Sequence, residues 1–270
     1  MRLSVVIAGD NAPDNAFVVF RGYEASIRKA ARMGYQGIEI ALGKPEDVDK
    51  AQIDEALRAR GMAVSCISTG LTFAKYGLYM THPDASVRRQ TVETFFGLIC
   101  LAVDWGGMIN IGRARGFVGQ GQTREEAEAL FFESMDQIAP YAREHGVTLL
   151  LEPINRYESN FINSVDDAAA LIRRMPHQNI GIMADVFHMN IEDDHIAGSL
   201  IRNRMDVRYV HIADSNRLAP GWGHTDFPAI VAALRQIGYE GWMSAEILPG
   251  KDADASAQQA ATYMQSLLSE

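Results

Sequence analysis

Short apolar runs punctuate the chain throughout: Leu3 to Ala8, Gly37 to Ile40, Ala63 to Ile67, Gly107 to Ile111, Val147 to Leu151, Ile180 to Ala184, Val207 to Ile212 and Trp242 to Ile247. Each is four to eight residues long, the length of a strand buried on both faces. Between them, apolar positions recur at helical spacing, as in Tyr23, Ile27, Ala30 and Ala31, and again in Ala127, Leu130, Phe131, Met135 and Ile138. Gly34, Gly61, Gly146 and Gly238 stand where helices should end, because a residue with positive φ commonly closes the last turn. Ser164, with Asp167 three residues on, predicts a capping box for a helix running through Ile172.

Eight strand candidates thus alternate with eight helix candidates, which calls for parallel strands joined by crossover helices. Eight such units in 270 residues predict a (β/α)8 barrel, a single domain spanning residues 1–270. An open doubly wound sheet is the competing arrangement, but Gly9 is followed by Asp10 and Asn11 instead of the glycine-rich turn such sheets place after their first strand. The run Gly119, Gln120, Gly121, Gln122 lacks the Lys-Ser/Thr of a phosphate-binding loop and reads as a plain loop.

Composition narrows the classes further. Thirty-four acidic against 25 basic residues give a net charge of -9, which opposes nucleic acid and anionic membrane as partners. Cys66 and Cys100 both fall in apolar stretches, without the paired spacing of a zinc ribbon or disulfide scaffold, so a reducing cytoplasm is expected. No stretch reads as a signal peptide or membrane span. Barrels of this size commonly assemble as homodimers or homotetramers, although nothing in the sequence marks an interface.

In such barrels the chemistry collects at the C-terminal ends of the strands. Read in order, those ends carry Glu39, Thr69, Arg113, Glu152, Asp185, His211 and Glu246. Each of the last four strands ends in a possible metal ligand. Any one of them alone reads as a helix cap, an ion-pair member or a satisfied core histidine. Four on successive strands are different, because three carboxylates converging in a desolvated mouth repel one another unless a cation lies between them. Mixed oxygen and nitrogen donors suit Mn²⁺ best, then Co²⁺ or Mg²⁺, with Zn²⁺ less favoured.

At these residues the chain resembles the xylose-isomerase-like superfamily, and within it the ketose 3-epimerases similar to D-tagatose 3-epimerase. Glu152, Asp185, His211 and Glu246 match that family's metal quartet, and Glu158, His188 and Arg217 its substrate-contacting positions. The segments EPINRYESNFIN, ADVFHMNIED and HIADSNRLAPGWGHTDF look closer still to the branch that interconverts 5-keto-L-gluconate and D-tagaturonate. Members acting on free ketoses carry aromatic residues near the first and fourth strand ends, whereas Ile7, Ala8, Gly112 and Arg113 stand here. The resemblance therefore implies a sugar or sugar-acid substrate, with keto acids preferred over neutral D-tagatose, D-psicose or L-ribulose. Hydroxypyruvate-type isomerases and inosose-processing enzymes share the metal site, and endonuclease IV shares the barrel but uses several histidines. A non-catalytic sugar-binding barrel is the reading from another class, and the pair Glu152 and Glu246 argues against it.

The chemistry follows from the residue types. A cation chelating the carbonyl and adjacent hydroxyl stabilises a cis-enediolate, while carboxylates on opposite faces act as base and acid. Glu152 and Glu246 fill those roles, His188 and Arg217 hydrogen-bond the carbonyl end, and Glu158 takes a hydroxyl. Arg113, Arg115, Arg156 and Arg217 are expected to bring guanidinium groups to the mouth for a substrate carboxylate. Phe161, Phe187, Trp222 and Phe227 are candidate shields against water, with core packing as the alternative.

Overall fold

The computed structural model describes residues 1–269. In chain order it runs β1 (Arg2–Ala8), β2 (Phe20–Arg21), α1 (Tyr23–Arg32), β3 (Gly37–Ala41), α2 (Lys50–Arg58), β4 (Ala63–Ser68), α3 (Gly70–Tyr76) and α4 (Ala85–Asp104). There follow β5 (Met108–Ile111), α5 (Arg124–Glu144), β6 (Thr148–Leu151), α6 (Val165–Ile172), β7 (Ile180–Asp185), α7 (Val186–Glu192) and α8 (Ile196–Arg202). The chain closes with β8 (Val207–Ile212), α9 (Phe227–Gln236), β9 (Trp242–Ala245) and α10 (Ala253–Ser269). All pairings are parallel, and β1 pairs with β9, so eight strands close into the (β/α)8 barrel that the alternation predicts.

The helix ends follow the sequence signals. Gly34, Gly61, Gly146 and Gly238 take φ of 86°, 62°, 70° and 68° at the ends of α1, α2, α5 and α9. Ser164 accepts from the Asp167 backbone N–H while Asp167 reaches back, completing the capping box of α6. Cys66 is buried inside the barrel, whereas Cys100, expected in an apolar setting, lies on an exposed face of α4.

Strand parity sets the direction of every functional side chain. Along β7, Ile182 and Ala184 pack into the large core shared with the helices, while Met183 joins Cys66, Leu150, Tyr209 and Trp242 in a separate cluster within the barrel. Residues two positions beyond an inward side chain also face inward, one layer nearer the C-terminal mouth. Leu150 thus leads to Glu152, Met183 to Asp185, and Tyr209 to His211.

The eighth barrel strand reaches the mouth differently. β9 pairs with β1 only over Arg2–Val5, and beyond that point Ile7 and Ala8 pair with the two-residue β2. With no ladder left to continue, the chain leaves the sheet after Ala245 and carries Glu246 into the opening.

Candidate metal centre and substrate pocket

One ligand atom from each of Glu152, Asp185, His211 and Glu246 can be chosen so that all four lie within 4.8 Å of one another. His211 Nδ1 faces the carboxylates, 3.2 Å from Glu152 Oε1, 3.5 Å from Glu246 Oε2 and 3.6 Å from Asp185 Oδ2. Asp185 also does what a lone strand-end acid does: its Oδ1 caps α7 by accepting from the Phe187 N–H at 2.8 Å. Its Oδ2 stays with the site and accepts from Arg217 Nη1 at 2.6 Å. Arg217 Nη2 bonds Glu246, and the guanidinium lies between the rings of Phe17 and Phe187, 4.9 and 4.8 Å from their centroids.

Burial works to raise every carboxyl here, and the cationic neighbours decide where each settles. The hydrogen bond and charge of His211 hold Glu152 below the ordinary carboxylate range despite its burial. Asp185 is likewise buried, but the charge of Arg217 and the hydrogen bond of His211 bring it well below. Glu246 goes the other way: burial, with Glu152 and Asp185 adding to it, pushes it up to about 8 against the pull of His211 and Arg217. Burial alone lowers His211, but Glu39 and Glu246 reverse this and raise it well above the usual imidazole value. Three carboxylates and an imidazole nitrogen turned toward one point form a donor set that fits a divalent cation with mixed oxygen and nitrogen ligation.

Beside the quartet opens a pocket toward the barrel mouth. Glu152, Glu158, His188 and Glu246 form its polar wall, while Phe17, Val18, Leu71 and Ile154 form an apolar one. Asn155 organises two of the polar groups, donating to Glu158 Oε1 at 2.9 Å and to His188 Nδ1 at 2.8 Å. With Nδ1 accepting, the His188 proton sits on Nε2, which lies 3.7 Å from Asp185 Oδ2. Burial is the main cause that lowers the His188 pKa, so the ring stays neutral. Gly112 is required for space: a Cβ there would meet Glu152 Oε2 at 2.7 Å and Asn110 Oδ1 at 2.8 Å.

The expected cluster of arginines is corrected. Arg113 lines the pocket, stacked on the Phe73 ring at 4.7 Å, and its side chain has no hydrogen bond or ion pair among the described residues. Arg115 is fully buried and donates to the carbonyls of Gly112, Phe161 and Ile162. Arg156 turns outward to pair with Glu192 at 2.8 Å. Arg217 belongs to the site but is engaged by Asp185 and Glu246.

The aromatic shields are also redistributed. Phe161 and Phe227 are fully buried against Phe131 and Tyr263 respectively, Trp222 is exposed, and Phe187 backs Arg217. Phe17, from the loop between β1 and β2, supplies the aromatic wall instead. Glu39, taken from sequence as a strand end, lies inside β3, which runs two residues further to Ala41. From there it bonds His211 Nε2 at 2.9 Å. Asn110, which steadies Glu152 Oε2 at 2.7 Å, carried no signal beyond its position in a strand.

Residues 27–267 match the family described as xylose isomerase-like TIM barrel. The chain belongs to that family. Among relatives in these xylose isomerase-like barrels, an L-ribulose 3-epimerase of Methylomonas sp. (strain DH-1) is 31% identical over 235 residues, covering 86% of this chain and 81% of the relative. A D-psicose 3-epimerase of Ruminiclostridium cellulolyticum is 36% identical over 229 residues, covering 81% and 76%. A solved structure of L-ribulose 3-epimerase superposes with a TM-score of 0.85 at 25% identity, covering 99% of this chain and 94% of that one. No helix among the described residues is long and apolar enough to cross a membrane.

Proposed function

We propose that this protein is a divalent-metal-dependent sugar epimerase that inverts C3 of a keto sugar, with Glu152 and Glu246 as the acid/base pair. The observation that carries this reading is that both glutamates belong at once to the metal quartet and to the pocket wall. They arrive from separate strands, β6 and the end of β9, so a substrate held beside the quartet meets one carboxyl on each face. One glutamate removes the C3 proton and the other delivers a proton from the opposite side, inverting the centre. Glu152, Asp185, His211 and Glu246 would hold the cation, which would supply Lewis-acid stabilisation of charge on the substrate oxygens. His188 donates from Nε2 to a substrate oxygen, and Glu158, fixed by Asn155, accepts from a hydroxyl. The apolar wall of Phe17, Val18, Leu71 and Ile154 excludes water from the reacting carbon.

The substrate proposed is a keto acid of the 5-keto-L-gluconate and D-tagaturonate type, supported by Arg113, whose guanidinium lies in the pocket lining. A neutral ketose is the second reading, favoured by the apolar wall and by the ketose 3-epimerase names of the relatives. Incubation with Mn²⁺ in D₂O, with products identified by NMR, tests both levels. Deuterium at C3 of the product is expected, as is loss of turnover after chelation and its return with Mn²⁺ or Co²⁺. Product without solvent label, or full turnover in rigorously metal-free protein, overturns the epimerase mechanism. Equal or better turnover of D-tagatose and D-fructose overturns only the keto-acid assignment.

A further inference from the structure

The interior of a (β/α)8 barrel is usually filled by layers of aliphatic side chains. Here a fully buried polar string runs through it instead. Ser65 Oγ lies 3.0 Å from Ser4 Oγ and 2.7 Å from the Tyr209 hydroxyl, the Tyr209 hydroxyl donates to Glu39 Oε2 at 2.9 Å, and both Glu39 oxygens lie within 3.0 Å of His211 Nε2. Ser4, Glu39, Ser65, Tyr209 and His211 each have no exposed surface. Burying such groups is costly where an aliphatic layer would do, and the string ends on a member of the quartet.

We propose that Glu39 and Tyr209 are positioning residues that hold a His211 proton on Nε2, so that Nδ1 is the nitrogen that gives up its proton to ligate the cation. Imidazole has two neutral tautomers, and only one presents Nδ1 as a ligand. Glu39 holds the Nε2 proton in a charge-assisted hydrogen bond. Tyr209, tied to Ser65 and Ser4, gives its own proton to Glu39 and so keeps the carboxylate turned toward the ring. Partners of this kind, which never touch the metal, typically change its affinity by about tenfold to a hundredfold.

This inference rests on the quartet holding a divalent cation, so the test measures Mn²⁺ binding directly, by calorimetry on the intact protein. In Glu39→Gln the charge-assisted bond to Nε2 is lost, and because both Glu39 oxygens lie within 3.0 Å of Nε2 the amide sets its N–H₂ as well as its oxygen against the ring. Mn²⁺ binding should weaken by roughly tenfold to a hundredfold. Tyr209→Phe alone should weaken it less, by up to about tenfold. The double variant Glu39→Gln with Tyr209→Phe should bind Mn²⁺ about as well as Glu39→Gln alone, because Tyr209 acts only through the carboxylate that is already gone. Independent structural roles predict losses that add instead. Unchanged affinity in the folded single variants, or additive losses in the double variant, overturns the proposal. If Glu39→Gln does not fold, wild-type affinity in Tyr209→Phe does so alone. Failure of the wild-type protein to bind Mn²⁺ overturns the metal reading itself.

Discussion

The guanidinium of Arg115 clamps the carbonyl oxygen of Phe161, with Nη2 at 2.6 Å and Nε at 3.0 Å. The same side chain reaches Ile162 O at 2.9 Å, beside an isoleucine held at φ 60°, and Gly112 O at 3.1 Å. Burial pushes the Arg115 pKa down to about 10, which still leaves it charged at neutral pH. A buried cation satisfied by backbone carbonyls therefore joins the loop after β5 to the loop after β6, where Asn155 and Glu158 stand. An arginine that sequence assigned to the substrate instead shapes the loop that meets it.

Arg115→Ala should destabilise the protein by more than about 3 kcal/mol, because three carbonyls lose a charged donor in a dry site. Arg115→Lys should recover little of this, since one ammonium cannot span the positions served by a planar fork. Urea denaturation of the three proteins checks both statements.

Glu152→Gln and Glu246→Gln should each lower kcat for epimerisation by about a hundredfold to ten-thousandfold with unchanged circular dichroism. One variant should still exchange the substrate C3 proton with D₂O from its intact face. The mass of recovered substrate reads that exchange, and normal epimerisation in either variant would remove that glutamate from the acid/base pair.

Arg113→Ala should lower kcat/KM for a keto acid by about tenfold to a hundredfold while leaving a neutral ketose nearly unaffected. The guanidinium is stacked on Phe73 and otherwise uncommitted among the described residues, so its removal costs the fold little. Steady-state kinetics on one substrate of each kind decides it.

Asp193 predicts a pH effect remote from the site. Its Oδ1 accepts from Ser199 at 2.5 Å, its Oδ2 is buried without a partner, and burial pushes its pKa from the usual 3.8 up to about 6. Between those values the native state holds a proton that the unfolded chain releases, so stability falls as pH rises through this window and the full penalty persists above it. Asp193→Asn should therefore be more stable than wild type at pH 8, by on the order of 2 kcal/mol, with the gain vanishing toward pH 4. Melting temperatures across that range provide the measurement.

The barrel was legible because each of its eight strands is a closed apolar run, and the quartet because three such runs end in a charge that strand parity turns inward and the last is followed at once by Glu246. What escaped the sequence lay in side-chain direction and distant pairing. β3 continues through Ile40 and Ala41, so Glu39 faces the barrel interior and reaches His211, a partner 172 residues away. Phe17 sits in a loop without periodicity. Arg113 and Arg115 are two positions apart on one short turn, yet one faces the pocket and the other the backbone of a neighbouring loop.

The departure of β9 from the sheet has a temporal consequence. Three of the quartet residues lie on strands that can pair with their predecessors as they emerge from the ribosome, but Glu246 finds its place only when β9 closes on Arg2–Val5 of β1. The full ligand set thus depends on the contact of longest sequence separation in the sheet, the kind that forms late because its loop-closure cost is greatest. A nascent chain exposing only the first seven barrel strands cannot assemble the complete set. A cation that needs all four residues would therefore stabilise only barrels that have already closed.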